Sequence, residues 1–331
     1  MQIDSEVLTY AETVSRDDHT QREKRLCLDV IAHLCVEYDP RKPRRRAANT
    51  ELKRRAEHHR GAIAPDDSMP PYDEWMRWSF VFYTGIKDIR SALLVEIDSE
   101  VKTYDELRDN DELLFEQHMC LSVLKNLCQS YGPQKVRRRL ARDELKRRVD
   151  AELGRLGGAP EDANMPNYDT WMRWSRVSHG IRGARSSALK MIDAEVRKHD
   201  ALTSAVGIKE AEIRICLNTI LILCDRYNTE KVRRNAARVE LRKRTREALK
   251  LLTEDDGIPS LDDWKRWSNS SGRRPSLIRD IDNELREYPS ASPVLKPAII
   301  KSKCDLYSMS SNPDARRLSA CNELKRQIDA I

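Results

Sequence analysis

The chain has 331 residues, room for two or three ordinary domains, with 39% hydrophobic and 34% charged residues, only 11 glycines and a formal net charge of +6. That balance favours helical cores under a charged surface and leaves little scope for many tight β-turns. No run approaches the roughly 18 apolar residues of a membrane span, and Met1-Gln2-Ile3-Asp4 lacks the basic-then-apolar plan of a signal peptide, so the expected location is cytoplasmic or nuclear with no membrane partner.

The chain then repeats itself. Ile3-Asp4-Ser5-Glu6-Val7 opens it and returns as Ile97-Asp98-Ser99-Glu100-Val101, Ile192-Asp193-Ala194-Glu195-Val196 and Ile281-Asp282-Asn283-Glu284-Leu285. Leu189, Ile192 and Val196, spaced i, i+3, i+7, predict that this motif lies on a helix. A second helix follows, from about Glu112 to Tyr131 in the second copy, ending in a Cys-x-x-Tyr that recurs at Cys35, Cys128, Cys224 and Cys304. Gly132-Pro133 breaks the chain before a basic helix from about Gln134 to Leu153, which a glycine-rich stretch beginning at Gly154 ends. A short helix begins near Asp169 and carries Trp-x-Arg-Trp-Ser, found at Trp75, Trp171 and Trp264 and holding all six tryptophans. In the third copy Ser260 and Asp263 have capping-box spacing. No stretch alternates at period two, so no strand is expected. The predicted fold is all-α: a tandem helical repeat of about four helices per unit of about 95 residues. The units are 1–96, 97–191, 192–280 and a partial fourth, 281–331, that stops before a tryptophan motif.

The eight cysteines do not suggest a disulfide framework. Cys27 and Cys35, Cys120 and Cys128, and Cys216 and Cys224 lie eight apart on helices, a rise of about 12 Å that no disulfide spans. Cys27, Val30, Ile31, Leu34, Cys35 and Tyr38 form one apolar face, where free cysteine packs as a small hydrophobe. The seven histidines keep no register with them, so no metal site is expected.

Charge is segregated. Residues 41–60 hold nine Lys/Arg against two acids, 135–148 eight against two, and 231–246 eight against one, so the remainder of a +6 chain is acidic. Each window is the basic helix of one copy. It opens on an arginine pair: Arg44-Arg45, Arg137-Arg138, Arg233-Arg234, and Arg316-Arg317 in the fourth copy. With Ala141, Leu145 and Val149 as the buried line, Arg139, Arg142 and Lys146 fall on the far side as a stripe. Arg46, Asn49 and Lys53 match it in the first copy, and Asn235, Arg238 and Arg242 in the third. Such stripes, once per unit, predict contact with a phosphate backbone, with affinity falling steeply with salt. The same recurrence is also expected if the arginine pairs form salt bridges to the Ile-Asp-x-Glu acids. Alignment of the basic faces on open surface favours nucleic acid; burial against those acids favours a protein-interaction scaffold.

Two tryptophans at i, i+3 share a helical face, with Arg77, Arg173 or Arg266 between them. They are expected either to fill the junction between helices or to offer a base-stacking edge with the arginine on phosphate. Met165-Pro166-Asn167-Tyr168-Asp169-Thr170-Trp171-Met172-Arg173-Trp174 and Ile258-Pro259-Ser260-Leu261-Asp262-Asp263-Trp264-Lys265-Arg266-Trp267 resemble the turn and recognition helix of helix-turn-helix DNA-binding domains of phage terminase small subunits and recombinases. That resemblance, about a dozen residues per copy, implies duplex DNA as ligand, with Arg77, Arg173 and Arg266 near the groove. In unit length and core Trp and Tyr the chain also resembles the tandem helical-repeat effectors of oomycete plant pathogens, which implies a protein partner.

No phosphate loop, H-E-x-x-H, G-x-S-x-G or dinucleotide-binding glycine run is present. The expectation is therefore a non-enzymatic protein with no cofactor and no small-molecule substrate, whose partner is nucleic acid, duplex DNA ahead of RNA. The alternative is a protein-interaction scaffold.

Overall fold

The computed structural model describes residues 2–15, 20–81, 89–158, 164–177, 184–205, 210–253, 257–270, 272–288 and 295–330. Among them are fifteen α-helices, a short 3-10 turn at Asp111–Leu113, and no strand, so the all-α expectation holds. The chain packs as two compact units, Met1–Pro160 and Glu161–Ile331. No helix among the described residues is long and apolar enough to cross a membrane.

The first unit opens with α1 (Gln2–Ser15), α2 (Gln21–Glu37) and α3 (Pro43–Gly61). Then come the short α4 (Tyr72–Ser79), α5 (Ala92–Leu107), α6 (Leu114–Ser130) and α7 (Val136–Leu156). The second unit holds α8 (Tyr168–Trp174), α9 (Ser187–Thr203), α10 (Glu210–Arg226) and α11 (Val232–Lys250). It closes with α12 (Leu261–Trp267), α13 (Ser276–Glu287), α14 (Leu295–Ser308) and α15 (Ala315–Asp329).

Local chemistry sets the helix ends. Thr20 and Glu23 close a reciprocal capping box on α2, and Ser91, Asn167, Ser186, Ser260 and Asp314 each accept a backbone N–H from the first turn of the helix that follows. Helix α7 runs past Gly154, where the sequence pattern placed its end, because only Gly157 adopts the left-handed backbone (φ 76°) that leaves a helix.

The tryptophan helices pack mainly on the helices that follow them, although α4 also touches α2 ahead of it. Helix α4 lies against α5 and α7, α8 against α9 and α11, and α12 against α13 and α15. By these contacts a tryptophan helix is grouped with the three helices after it. Helices α1–α3 form the other group of the first unit, with α2 against both α1 and α3. Within each unit one group joins the next through its basic helix, α7 on α2 and α15 on α10. Apolar packing runs through the second joint: Ala211 and Ile215 of α10 share a core with Trp264, Trp267, Ile281, Cys304 and Leu324.

Candidate functional site

Each tryptophan helix is held by an aspartate of the Ile-Asp motif. Trp75 Nε1 donates to Asp98 at 2.8 Å, Trp171 to Asp193 at 2.8 Å and Trp264 to Asp282 at 2.7 Å. The same carboxylates accept from arginines eight residues earlier, Arg90, Arg185 and Arg274, whose Nε atoms lie 2.6, 2.6 and 2.7 Å away. Those guanidinium groups also donate to Ser79, Ser175 and Ser268, the serines that close the Trp-x-Arg-Trp-Ser motif. The residues of this cluster are buried or half-buried and bonded to one another, the condition for keeping a carboxylate and a guanidinium out of water. Sequence reading missed the three arginines. Their constant distance from the aspartate was the available signal.

The basic helix grips the tryptophan helix from the other side. Arg137 of α7 donates from Nε to the carbonyl of Trp78 at 3.1 Å and from Nη1 to Glu6 of α1 at 2.6 Å. Arg138 donates to the carbonyls of Ser79 and Ile89, both at 3.3 Å. Arg148 lies over the Trp78 ring at 5.1 Å and donates to the Ser68 carbonyl at 2.6 Å. In the second unit Arg233 donates to the Trp174 carbonyl at 3.0 Å, Arg234 to the Ala184 carbonyl at 3.2 Å, and Arg244 lies 4.8 Å over the Trp174 ring. Arg317 donates to the carbonyls of Ser270, Gly272 and Arg273, and Arg316 reaches Glu195 at 2.5 Å. The physical logic is the same throughout. A two-turn helix exposes C-terminal carbonyls with no intrahelical donor, and a cation there also meets the negative end of the helix dipole.

These contacts correct the expected open basic face. Arg137, Arg233 and Arg234 are buried and Arg138 is half-buried. Arg142 and Arg238 cap the preceding cysteine helix, donating to the carbonyls of Tyr131 at 2.6 Å and Cys224 at 2.9 Å; Asn49 does the same for Cys35. Arg139 is spent on Glu37 at 2.7 Å and Arg242 on Asp225 at 2.8 Å, while Lys146 is half-buried. Lys53 lies 3.8 Å from Glu57, and Arg46 lies 3.9 Å from Asp39. Only Arg44, Arg45 and Arg46 of the sixteen expected contacts stand together on open surface, at the start of α3.

The tryptophans offer no stacking edge, since all six are buried. Between them, Arg77 is bonded to Glu23, Arg266 to Glu212 at 2.9 Å and to Asp263, and Arg173 is exposed with Thr170 Oγ1 3.0 Å away. All eight cysteines are free and buried. Burial pushes the Cys128 and Cys224 thiols up to about 12, which keeps them protonated and unreactive. Among the described residues no three His, Cys, Asp or Glu side chains gather as a metal site.

No protein-family model, no curated protein and no solved structure matches this chain.

Proposed function

We propose that the chain is a tandem helical-repeat scaffold for protein interaction, without catalytic chemistry, and that its recurring basic residues serve assembly of the array. One observation carries this reading: the arginine that opens the basic helix pairs with a glutamate of the preceding group, Arg137 with Glu6 and Arg316 with Glu195. Breaking such a buried pair costs about 3–5 kcal/mol, so a guanidinium in this position is not available to a phosphate. The pairing of Arg139 with Glu37 of α2, of Arg142 with Asp143 and of Arg242 with Asp225 supports it further. Within each unit, helical groups that bury a face on a neighbour leave their side surfaces open to partners, which is how helical repeats engage them.

The exposed Arg44, Arg45 and Arg46 favour, as a second reading, nucleic-acid contact confined to α3. Fluorescence anisotropy with random duplex DNA and single-stranded RNA at about 50 and 200 mM salt separates the two. The scaffold reading expects at most weak, salt-labile binding, unaffected when Arg139, Arg142 and Lys146 are changed to Glu. Tight binding that collapses in that triple variant overturns it.

A further inference from the structure

Cys321 is the one cysteine outside the recurring positions, and it stands where the other basic helices carry a capping side chain. Five residues after the first arginine of each pair, Asn49, Arg142 and Arg238 hold the matching place in α3, α7 and α11. Asn49 and Arg238 reach the end of the cysteine helix, donating to the carbonyls of Cys35 at 2.8 Å and Cys224 at 2.9 Å. In the last group the Cys304 carbonyl receives Ser308 Oγ at 2.9 Å instead. Cys321 meets the Cys304 side chain there, and the two thiols are hydrogen-bonded to one another.

Both side chains are fully buried in one core with Trp264, Ile281 and Leu324, on helices α14 and α15 that pack directly together. The bond to Cys304, together with burial, pushes the Cys321 thiol well above the usual thiol value. The cysteine pairs of the other groups are different. Cys27 and Cys35, Cys120 and Cys128, and Cys216 and Cys224 are each separated by eight residues of one helix, a rise of about 12 Å.

We propose that Cys304 and Cys321 are a reversible redox pair that closes to a disulfide between α14 and α15. The oxidant is a low-molecular-weight disulfide such as oxidised glutathione. One protein thiol, deprotonated, attacks a sulfur of the oxidant and expels a small thiolate, leaving a mixed disulfide. The second protein thiol, deprotonated in turn, displaces the remaining small thiolate. Two electrons and both thiol protons pass to the two small thiols, and one S–S bond forms in the protein. Because both sulfurs are buried, exchange proceeds through local opening of α14 from α15 and is slow. The cross-link fastens the helix whose Arg316 holds Glu195 and whose Arg317 holds the carbonyls of Ser270, Gly272 and Arg273. Oxidation therefore reinforces the joint within the second unit, whatever the side surfaces bind.

The test is oxidation of the full native chain with oxidised glutathione, alkylation of the remaining thiols in denaturant, and tryptic digestion without reductant. Segments 304–316 and 318–325 each hold one of the two cysteines. They are expected as one linked species, lighter than their sum by two hydrogens, with the other six cysteines alkylated. The melting temperature rises by about 5 °C or more, and dithiothreitol reverses the rise. Cys321→Ser abolishes both the linked species and the rise. Recovery of the two segments apart, whether alkylated or carrying glutathione, overturns the proposal. So does cross-linking of other cysteine pairs to the same extent, or a linked species with no rise in melting temperature.

Discussion

Trp75 and Asp98 are joined by a buried hydrogen bond from indole nitrogen to carboxylate, 2.8 Å long, whereas the other tryptophan of the same helix, Trp78, has an indole nitrogen with no acceptor among the described residues. The two rings are equally buried but differ in what a phenyl ring would cost. Trp75→Phe leaves one lone pair of a buried carboxylate unpaired and is expected to destabilise the first unit by about 1–3 kcal/mol more than Trp78→Phe. Denaturant unfolding of the two variants checks the order.

Arg148 and Arg55 provide a matched pair. Both sit four residues after a glutamate on a basic helix and bond to it, at 2.9 and 2.8 Å. Arg148 is 2% exposed, stacked on Trp78 and bonded to the Ser68 carbonyl, while Arg55 is 68% exposed. Arg148→Ala is expected to cost about 2–4 kcal/mol, since it empties a packed site and leaves a buried carbonyl without a donor. Arg55→Ala stays within about 0.5 kcal/mol. Melting curves of the two variants distinguish a structural arginine from a surface one in the same sequence context.

His199 sits buried in α9, and desolvation holds its imidazole below the usual histidine value, with neighbouring Asp200 opposing. The folded state thus favours the neutral ring. Its contribution to stability is complete above the unfolded value of about 6.5 and is lost as pH falls through the lower folded value. The second unit is expected to lose stability as pH falls below about 6.5, and His199→Tyr, the residue at the matching position Tyr104, flattens that dependence. A melting temperature that is equally pH-sensitive in the variant contradicts the assignment.

Much of this fold is written in local pattern. The cysteine face, the Ser and Asn caps and the absence of period-two alternation identify the helices, because each depends on residues within one or two turns. The fate of the arginines is different. Arg137 and Arg44 occupy the same motif position, yet one is buried and the other exposed; Arg137 is held by the Trp78 carbonyl and Glu6, partners distant in sequence. A basic helix looks the same in sequence whether its cations meet solvent, carboxylate or carbonyl. The phase of the groups was hidden for a related reason: motif order cannot tell whether a short helix packs backward or forward, and the Trp75–Asp98 bond turns it forward. In the last group Lys296 and Lys303 hold Glu284, the counterpart of Glu6 and Glu195, at 2.7 and 2.6 Å. Those lysines fall outside the recurring motifs, so nothing in the pattern announced them.

The most direct test of the account is a double-mutant cycle on Arg137 and Glu6, using Arg137→Met and Glu6→Gln and reading unfolding free energy by denaturant titration. If the arginine pair is the joint between groups, Arg137→Met costs about 3–5 kcal/mol, and the two substitutions together cost less than their sum by about 2 kcal/mol. Additive effects, with Arg137→Met costing under about 0.5 kcal/mol, would mean that the guanidinium is not committed to the fold and would contradict the account.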